Sequence, residues 1–123
     1  MEPQEDTTVQ EIPIKMYRTE ELITISAPMP GLEAEDVMVE VTDAGTVRMR
    51  GALRGALKGV KDLLRDEWSV GPYFREVMPP AAVDGAAATV TYGNGVVVVA
   101  LPISDRPVPA RLGAGGQHAS GRR

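Results

Sequence analysis

The sequence predicts an all-β domain, built as a sandwich of short strands. Between residues 14 and 101, apolar and polar side chains alternate with a period of two, which is typical of strands with one buried face. Turn-forming residues close each alternating run. The chain has 123 residues, of which 43% are hydrophobic, so it is long enough to bury one modest core.

The first four strands are predicted at residues 14–19, 22–27, 37–41 and 47–50. Two prolines in the sequence Pro28-Met29-Pro30-Gly31 end the second strand, because proline lacks the N–H that a sheet requires. In the third strand, three valines share one face and are expected to point into the core. Residues 33–36 predict either a single helical turn or a loop.

The last strands are predicted at residues 73–78, 88–92 and 96–101. Gly93, Asn94 and Gly95 separate the final two strands and tolerate the positive φ angles of a tight hairpin turn. Consecutive valines begin the last strand, so we expect that strand to be covered on both faces or to present one face to a partner.

Residues 51–66 interrupt the alternation, and the sequence leaves their conformation open. Leucine and valine recur there at helical spacing while basic side chains line another face, which is the pattern of a basic amphipathic helix. Gly55 and Gly59 oppose a helix, because each costs roughly 1 kcal/mol inside one. A long insertion with a short strand at residues 63–68 is the alternative.

The alternating region defines one domain, residues 12–102. Residues 1–11 are predicted to form a short disordered arm, and residues 103–123, rich in Pro, Gly and Arg, a flexible C-terminal extension. The first ten residues are acidic and polar, unlike a secretory signal, and no run approaches the roughly 18 apolar residues of a membrane span. We therefore expect a cytoplasmic protein.

The composition excludes several kinds of chemistry. The chain has no Cys, and its one His, His118, lies in a Gly-rich tail, so thiolate or imidazole catalysis and metal ligation have no basis. No phosphate-binding GxxxxGK[ST] motif is present. With one Phe, one Trp and three Tyr, the chain lacks the stacking platforms that bind single-stranded nucleic acid. We expect a non-enzymatic protein without a cofactor, a metal ion or a nucleic-acid partner.

Five segments, in order and in spacing, resemble motifs of the small heat-shock proteins, the α-crystallin domain family. Residues 27–32 (APMPGL) are similar to the family's A-x-L-P-G-V segment, residues 35–41 (EDVMVEV) to its E-D-I-x-V-x-V strand, and residues 47–51 (VRMRG) to its L-x-I-x-G strand. Residues 71–77 (GPYFREV) are similar to its G-x-F-x-R-x-F element, and residues 94–102 (NGVVVVALP) to its N-G-V-L-x-I-x-L-P signature. The resemblance covers the whole predicted domain.

This resemblance implies an immunoglobulin-like β-sandwich that forms a homodimer, or a larger oligomer, and acts as an ATP-independent holdase. Such a chaperone binds partly unfolded client proteins and limits their aggregation under stress. The resemblance also implies an edge groove between the strands at 37–41 and 88–92, which receives a short apolar motif from the tail of a neighbouring subunit or from a client. The residues expected around this groove are Val37, Val39, Val41, Val90, Tyr92 and Val97.

Two further sites follow from the resemblance. Arg75 lies within an apolar strand. A charge there must be paired or located at an interface, unless the side chain faces solvent. The resemblance implies that Arg75 lies at or near the dimer contact. The family's tail motif, I-x-I/V, is represented by Val108-Pro109-Ala110. Ala at its last position has lost apolar area, which at about 25 cal/mol per Å² weakens docking and favours dimers over large assemblies.

Two other functions are compatible with the sequence. A non-enzymatic adaptor, similar to a co-chaperone, would use the same sandwich to bind one specific protein, and the short polar N-terminal arm favours it. A protein at a membrane surface would use the basic segment 52–66, although the sequence gives that interpretation little support.

Overall fold

The computed structural model describes residues 9–53, 64–65 and 67–115, which form two sheets packed face to face. It contains nine strands in its described part: β1 (Gln10–Glu11), β2 (Lys15–Arg18), β3 (Leu22–Pro28), β4 (Val37–Val41), β5 (Val47–Gly51), β6 (Tyr73–Val77), β7 (Thr89–Gly93), β8 (Val96–Pro102) and β9 (Ala110–Gly113). The predicted all-β sandwich is therefore confirmed, and the first eight residues, 54–63, 66 and 116–123 lie outside the described residues.

The strands are divided between a five-stranded and a four-stranded sheet. The five-stranded sheet has the order β1-β6-β5-β4-β9, and the four-stranded sheet has the order β2-β3-β8-β7. All neighbouring strands are antiparallel except β1 and β6, which are parallel. Consecutive hairpins account for β2–β3, β4–β5 and β7–β8, whereas β1–β6, β3–β8 and β4–β9 join distant parts of the chain.

Alternating side chains from both sheets form one aliphatic core. In β4, the three valines predicted to face inward are at most 2% exposed, whereas Met38 between them faces outward. The same alternation buries Ile23 and Ile25 of β3 against the other sheet. The core residues with less than 2% exposure are Ile23, Ile25, Met29, Met49, Leu101, Val37, Val39, Val41, Val47, Val83, Val97 and Val99.

Two local turns have conformations that their residues predict. Asn94 and Gly95 have φ angles of 53° and 77°, which closes the β7–β8 hairpin as the Gly-Asn-Gly sequence predicts. Of the two predicted alternatives, Ala34–Asp36 forms the helical turn, and the Glu33 backbone N–H donates to the Asp36 carboxylate at 2.9 Å. This capping contact satisfies a backbone donor at the entry to β4.

The C-terminal segment differs from the sequence prediction. A flexible extension was expected from residue 103, but Ile103 bridges Val83 and residues 110–113 form β9 against β4. The segment thus crosses from the end of one sheet to the edge of the other. The apolar alternation in residues 110–113 is only four residues long and follows two prolines, so the local pattern predicts a coil. These residues form a strand because they pair with β4.

The structure describes only part of the predicted N-terminal arm, residues 1–11, and of segment 51–66. Gln10 and Glu11, placed in the disordered arm by the sequence, pair with Tyr73 and Phe74 of β6. Most of segment 51–66, including the residues that would distinguish a helix from a strand, lies outside the described residues. Within residues 9–53, 64–65 and 67–115, no helix has the length and apolar character needed to cross a membrane.

Candidate functional site at the edge of strand β4

The β4 edge is where a segment from elsewhere in the chain adds to the sheet. Strand β4 pairs with β5 on one side, and on its other side β9 pairs antiparallel with it, Val41 opposite Ala110 and Met38 opposite Gly113. In the groove predicted between β4 and β7, therefore, the β4 edge is occupied by the chain's own tail. Some Cα atoms of β9 also lie within 8 Å of β7, the facing edge of the other sheet.

Val108 anchors the tail just before it reaches β4. Its backbone N–H donates to the Val83 carbonyl at 3.1 Å, and its carbonyl accepts from the Gly85 N–H at 2.8 Å. A Cβ at Gly85 would lie 2.6 Å from the Val108 carbonyl oxygen and 2.9 Å from Val41 Cβ, closer than side chains tolerate. Glycine at position 85 therefore allows the tail to pass directly over the end of the sandwich.

The two faces of β9 differ in character. Ala110 and Leu112 are half-buried, and Leu112 packs against the core. Arg111 and Gly113 are exposed, and Arg111 lies directly opposite Glu40. The segment is thus held through backbone pairing and an inward leucine, which is how a sheet edge receives an extended peptide.

The predicted groove residues occupy the predicted strands, but four of them are core residues. Val37, Val39 and Val41 of β4 and Val97 of β8 are at most 2% exposed, so their side chains are covered. Val90 is half-buried and packs against the core. At the β4 valines, a partner would therefore pair with the backbone edge of the strand and not with the valine side chains.

Tyr92, the sixth predicted groove residue, fixes the loop beside the site. Its hydroxyl donates to the Met29 carbonyl at 2.7 Å and accepts from the Leu32 N–H at 3.3 Å. The Tyr73 hydroxyl donates to the Pro30 carbonyl at 2.8 Å. Two tyrosines from different sheets thus hold the Pro-Gly loop that leads into β4.

The predicted tail motif is displaced by two residues from the segment that pairs with β4. Val108 lies in an isolated bridge with Asp84, Pro109 precedes the strand, and Ala110 is the first residue opposite β4. The inward aliphatic side chain is Leu112, which the sequence analysis did not single out. Ala110-Arg111-Leu112 has the same i, i+2 spacing of apolar residues as Val108-Pro109-Ala110, and that spacing is the signal that could have identified Leu112.

Arg75 has a partner within its own chain. It is half-buried on β6, and its guanidinium Nη1 donates to the Ile12 carbonyl at 2.8 Å. This contact ties the segment between β1 and β2 to β6, so the charge inside an apolar strand is satisfied. A role at the dimer contact stays a prediction.

The outer face of the five-stranded sheet carries alternating charges next to an apolar cleft. Arg48 Nη1 lies 3.8 Å from Glu40 Oε1, and Arg48 Nε lies 3.8 Å from Glu76 Oε1. Farther along the same face, the Arg50 guanidinium lies 5.6 Å from the centroid of the Phe74 ring. Met38, 42% exposed, borders this cleft.

Comparison with known proteins agrees with this architecture. Residues 15–111 match the Hsp20/alpha crystallin family. Heat shock protein 16 of Schizosaccharomyces pombe is 25% identical over 92 residues, which span 72% of this chain and 64% of that protein. The 18 kDa antigen 1 of Mycobacterium intracellulare is 23% identical over 111 residues, which span 88% of this chain and 73% of that protein.

A solved structure shows the same fold. Heat shock protein 16.0 from Schizosaccharomyces pombe superposes with a TM-score of 0.63 at 19% identity, covering 96% of this chain and 80% of that chain. The match to the family extends from β2 into β9 and so includes both sheets and the site at β4. This chain therefore belongs to the Hsp20/alpha crystallin family.

Proposed function

We propose that this protein is an ATP-independent holdase that binds partly unfolded proteins and limits their aggregation. The observation that carries the proposal is β9 itself, since an extended segment with an inward leucine adds to the β4 edge of a family sandwich. Unfolded proteins expose short extended apolar segments, and such segments fit the same kind of edge.

In this proposal, the client and the tail use one site. β9 covers the β4 edge, so a client segment pairs with β4 only when β9 leaves it. The tail then acts as a resident competitor that keeps an aggregation-prone edge covered in the absence of clients. Binding requires neither nucleotide nor covalent chemistry, which agrees with a non-enzymatic role.

The test is light scattering from three unrelated heat-labile proteins, each heated with and without this protein at equal subunit ratio and without ATP. We expect scattering to fall for all three. If scattering is unchanged although circular dichroism shows that the protein is folded, the holdase proposal is wrong. Protection of a single protein, with stoichiometric co-purification, would instead support the adaptor function.

A tail variant tests the role of the β4 edge in the same assay. Leu112→Asn removes the inward aliphatic contact of β9, so we expect it to suppress scattering at a lower subunit ratio than the unmodified chain. Gly113→Ala is the matched control, because a Cβ there meets only ordinary contacts near 3.8 Å. Equal suppression by both variants would show that β9 does not compete with clients.

The remaining properties are proposed from the family. We expect a homodimer, with Arg75 at or near the subunit contact, in the cytoplasm. Sedimentation velocity of the unmodified chain and of Arg75→Ala tests this contact. Because Arg75 also holds the Ile12 carbonyl, thermal unfolding of the variant is needed to separate loss of the dimer from loss of the fold.

A further inference from the structure

We infer that Glu40 makes the β4 edge selective for extended segments with a basic residue between two aliphatic residues. This inference rests on the proposed function, because it names the chemical class of segment that the same edge accepts. The chain's own Ala110-Arg111-Leu112 is one such segment.

The register places the middle residue of the segment directly against Glu40. Val41 pairs with Ala110, Glu40 with Arg111, and Val39 with Leu112. Side chains directly opposite each other in an antiparallel pair have Cβ atoms about 5 Å apart and interact. The outer residue of any segment docked in this register therefore lies opposite a carboxylate-bearing residue.

The charges on the neighbouring strands leave this carboxylate incompletely neutralised. Across the sheet, Arg111 of β9, Glu40 of β4, Arg48 of β5 and Glu76 of β6 form a row of alternating sign, which we call the charged row. Arg48 lies 3.8 Å from each of the two glutamates, so one guanidinium serves two carboxylates. Without β9, the row carries one net negative charge.

One further acid lies near Glu40 outside the charged row. The cleft beside the row is lined by Glu40, Asp43, Arg48 and Arg111, so its two acids balance its two bases only while Arg111 of β9 is in place. A basic residue completes the alternation, whereas an acidic residue would oppose a like charge, which is destabilising. The two inward positions lie opposite Val41 and Val39, where Ala110 is half-buried and Leu112 packs against the core, so aliphatic side chains suit them.

The first experiment measures peptide binding by fluorescence anisotropy. The peptides copy residues 107–115 (PVPARLGAG) with Arg, Ala or Glu at the middle position, and the protein is the full chain carrying Leu112→Asn so that its own tail competes less. We expect the Arg peptide to bind about threefold to tenfold more tightly than the Glu peptide, with Ala between them. Added salt should narrow the difference.

Charge reversal on the protein provides the control. Glu40→Lys in the same chain should reverse the order of the peptides, whereas Glu21→Lys, an equal change of net charge on an exposed turn away from β4, should leave it unchanged. Equal binding of the three peptides, or the same reversal by both lysine variants, would overturn the inference.

Hydrogen exchange in the intact chain gives a second measurement that does not depend on peptides. Arg111→Glu should speed exchange of the β9 amides about threefold to tenfold, and the double variant Glu40→Lys with Arg111→Glu should restore protection. Protection unchanged in Arg111→Glu would overturn the inference.

The outcomes separate the inference from the proposed function. Peptide discrimination without suppression of scattering would retain the charge selectivity and refute the holdase. Suppression without peptide discrimination would retain the holdase and refute the role of Glu40.

Discussion

At the scale of single residues, two tyrosines hold the loop that delivers the chain to β4. Tyr92 and Tyr73 together contact three backbone groups of residues 29–32, which join the two sheets. The loop contains Pro30, which has no backbone N–H to donate, and Gly31, which has a positive φ of 90°. Its position depends on these hydroxyl groups.

Removing one hydroxyl should destabilise the fold without changing its shape. We expect Tyr92→Phe to lower the free energy of unfolding by about 1–2 kcal/mol, because the Met29 carbonyl and the Leu32 N–H lose their partner. Tyr17→Phe, at an exposed position, is the control and should change stability by less than about 0.5 kcal/mol. Urea denaturation checks both, and equal losses would contradict the role of the Tyr92 hydroxyl.

Gly85 is the residue on which the path of the tail depends most directly. Gly85→Ala should lower the free energy of unfolding by about 1–3 kcal/mol, since the new Cβ would collide with the Val108 carbonyl and Val41. Gly93→Ala is a matched control, because no atom lies within 4 Å of a Cβ built there. Thermal and urea unfolding of the pair measure the difference, and a neutral Gly85→Ala would show that the tail does not pass over this residue.

At the scale of an element, β4 has one face in the core and one face in solvent. Val39 is 0% exposed, between Met49 of β5 and Leu112 of β9, whereas its neighbour Met38 is 42% exposed. A charge introduced at Val39 therefore probes the core as well as the groove. Loss of the proposed holdase activity in Val39→Glu would therefore not identify a binding site.

The alternation of β4 can be tested with one charge placed at adjacent positions. We expect Val39→Glu to lose about 3 kcal/mol of stability or more, because a carboxylate would be buried without a partner. Met38→Glu places the same group on the solvent face and should fold with a stability within about 1 kcal/mol of the unmodified chain. Circular dichroism during urea titration distinguishes them, and a stable Val39→Glu would contradict the register of β4.

At the scale of the whole molecule, the tail connects the two sheets. It leaves β8 in the four-stranded sheet, bridges Val83 and Asp84, and ends as β9 in the five-stranded sheet. Contacts of Ile103 and Leu112 with the core contribute apolar burial along this path. The tail is therefore part of the folded domain up to residue 115.

Two truncations should separate the structural part of the tail from the rest. Removal of residues 103–123 should lower the free energy of unfolding by about 2–4 kcal/mol and increase self-association, because it removes apolar contacts and exposes the β4 edge. Removal of residues 116–123 leaves β9 in place and should preserve stability. Urea denaturation and sedimentation velocity compare the two, and equal behaviour would contradict the contribution of β9.

The strands of the sandwich could be predicted from the sequence because each has a local signal. The valines of β4 alternate with outward residues, and the Gly93-Asn94-Gly95 turn matches a tight hairpin. The only local signal for β9 is the i, i+2 spacing of Ala110 and Leu112, which is too short to predict a strand directly after Pro107 and Pro109. The partner of Arg75 was also beyond prediction, because Ile12 is 63 positions away in the sequence.

The sequence by itself determined the all-β class, the inward faces of the strands and the family, since period-two patterning and ordered motifs are properties of the linear chain. Only the tertiary structure decided that β9 occupies the β4 edge, so that at the inward-facing β4 valines a partner would pair with the backbone of the strand. It also decided that Arg111 lies opposite Glu40 within the charged row. The physical reason is that burial, edge occupancy and cross-strand pairing arise between residues distant in sequence, where local preferences carry no information.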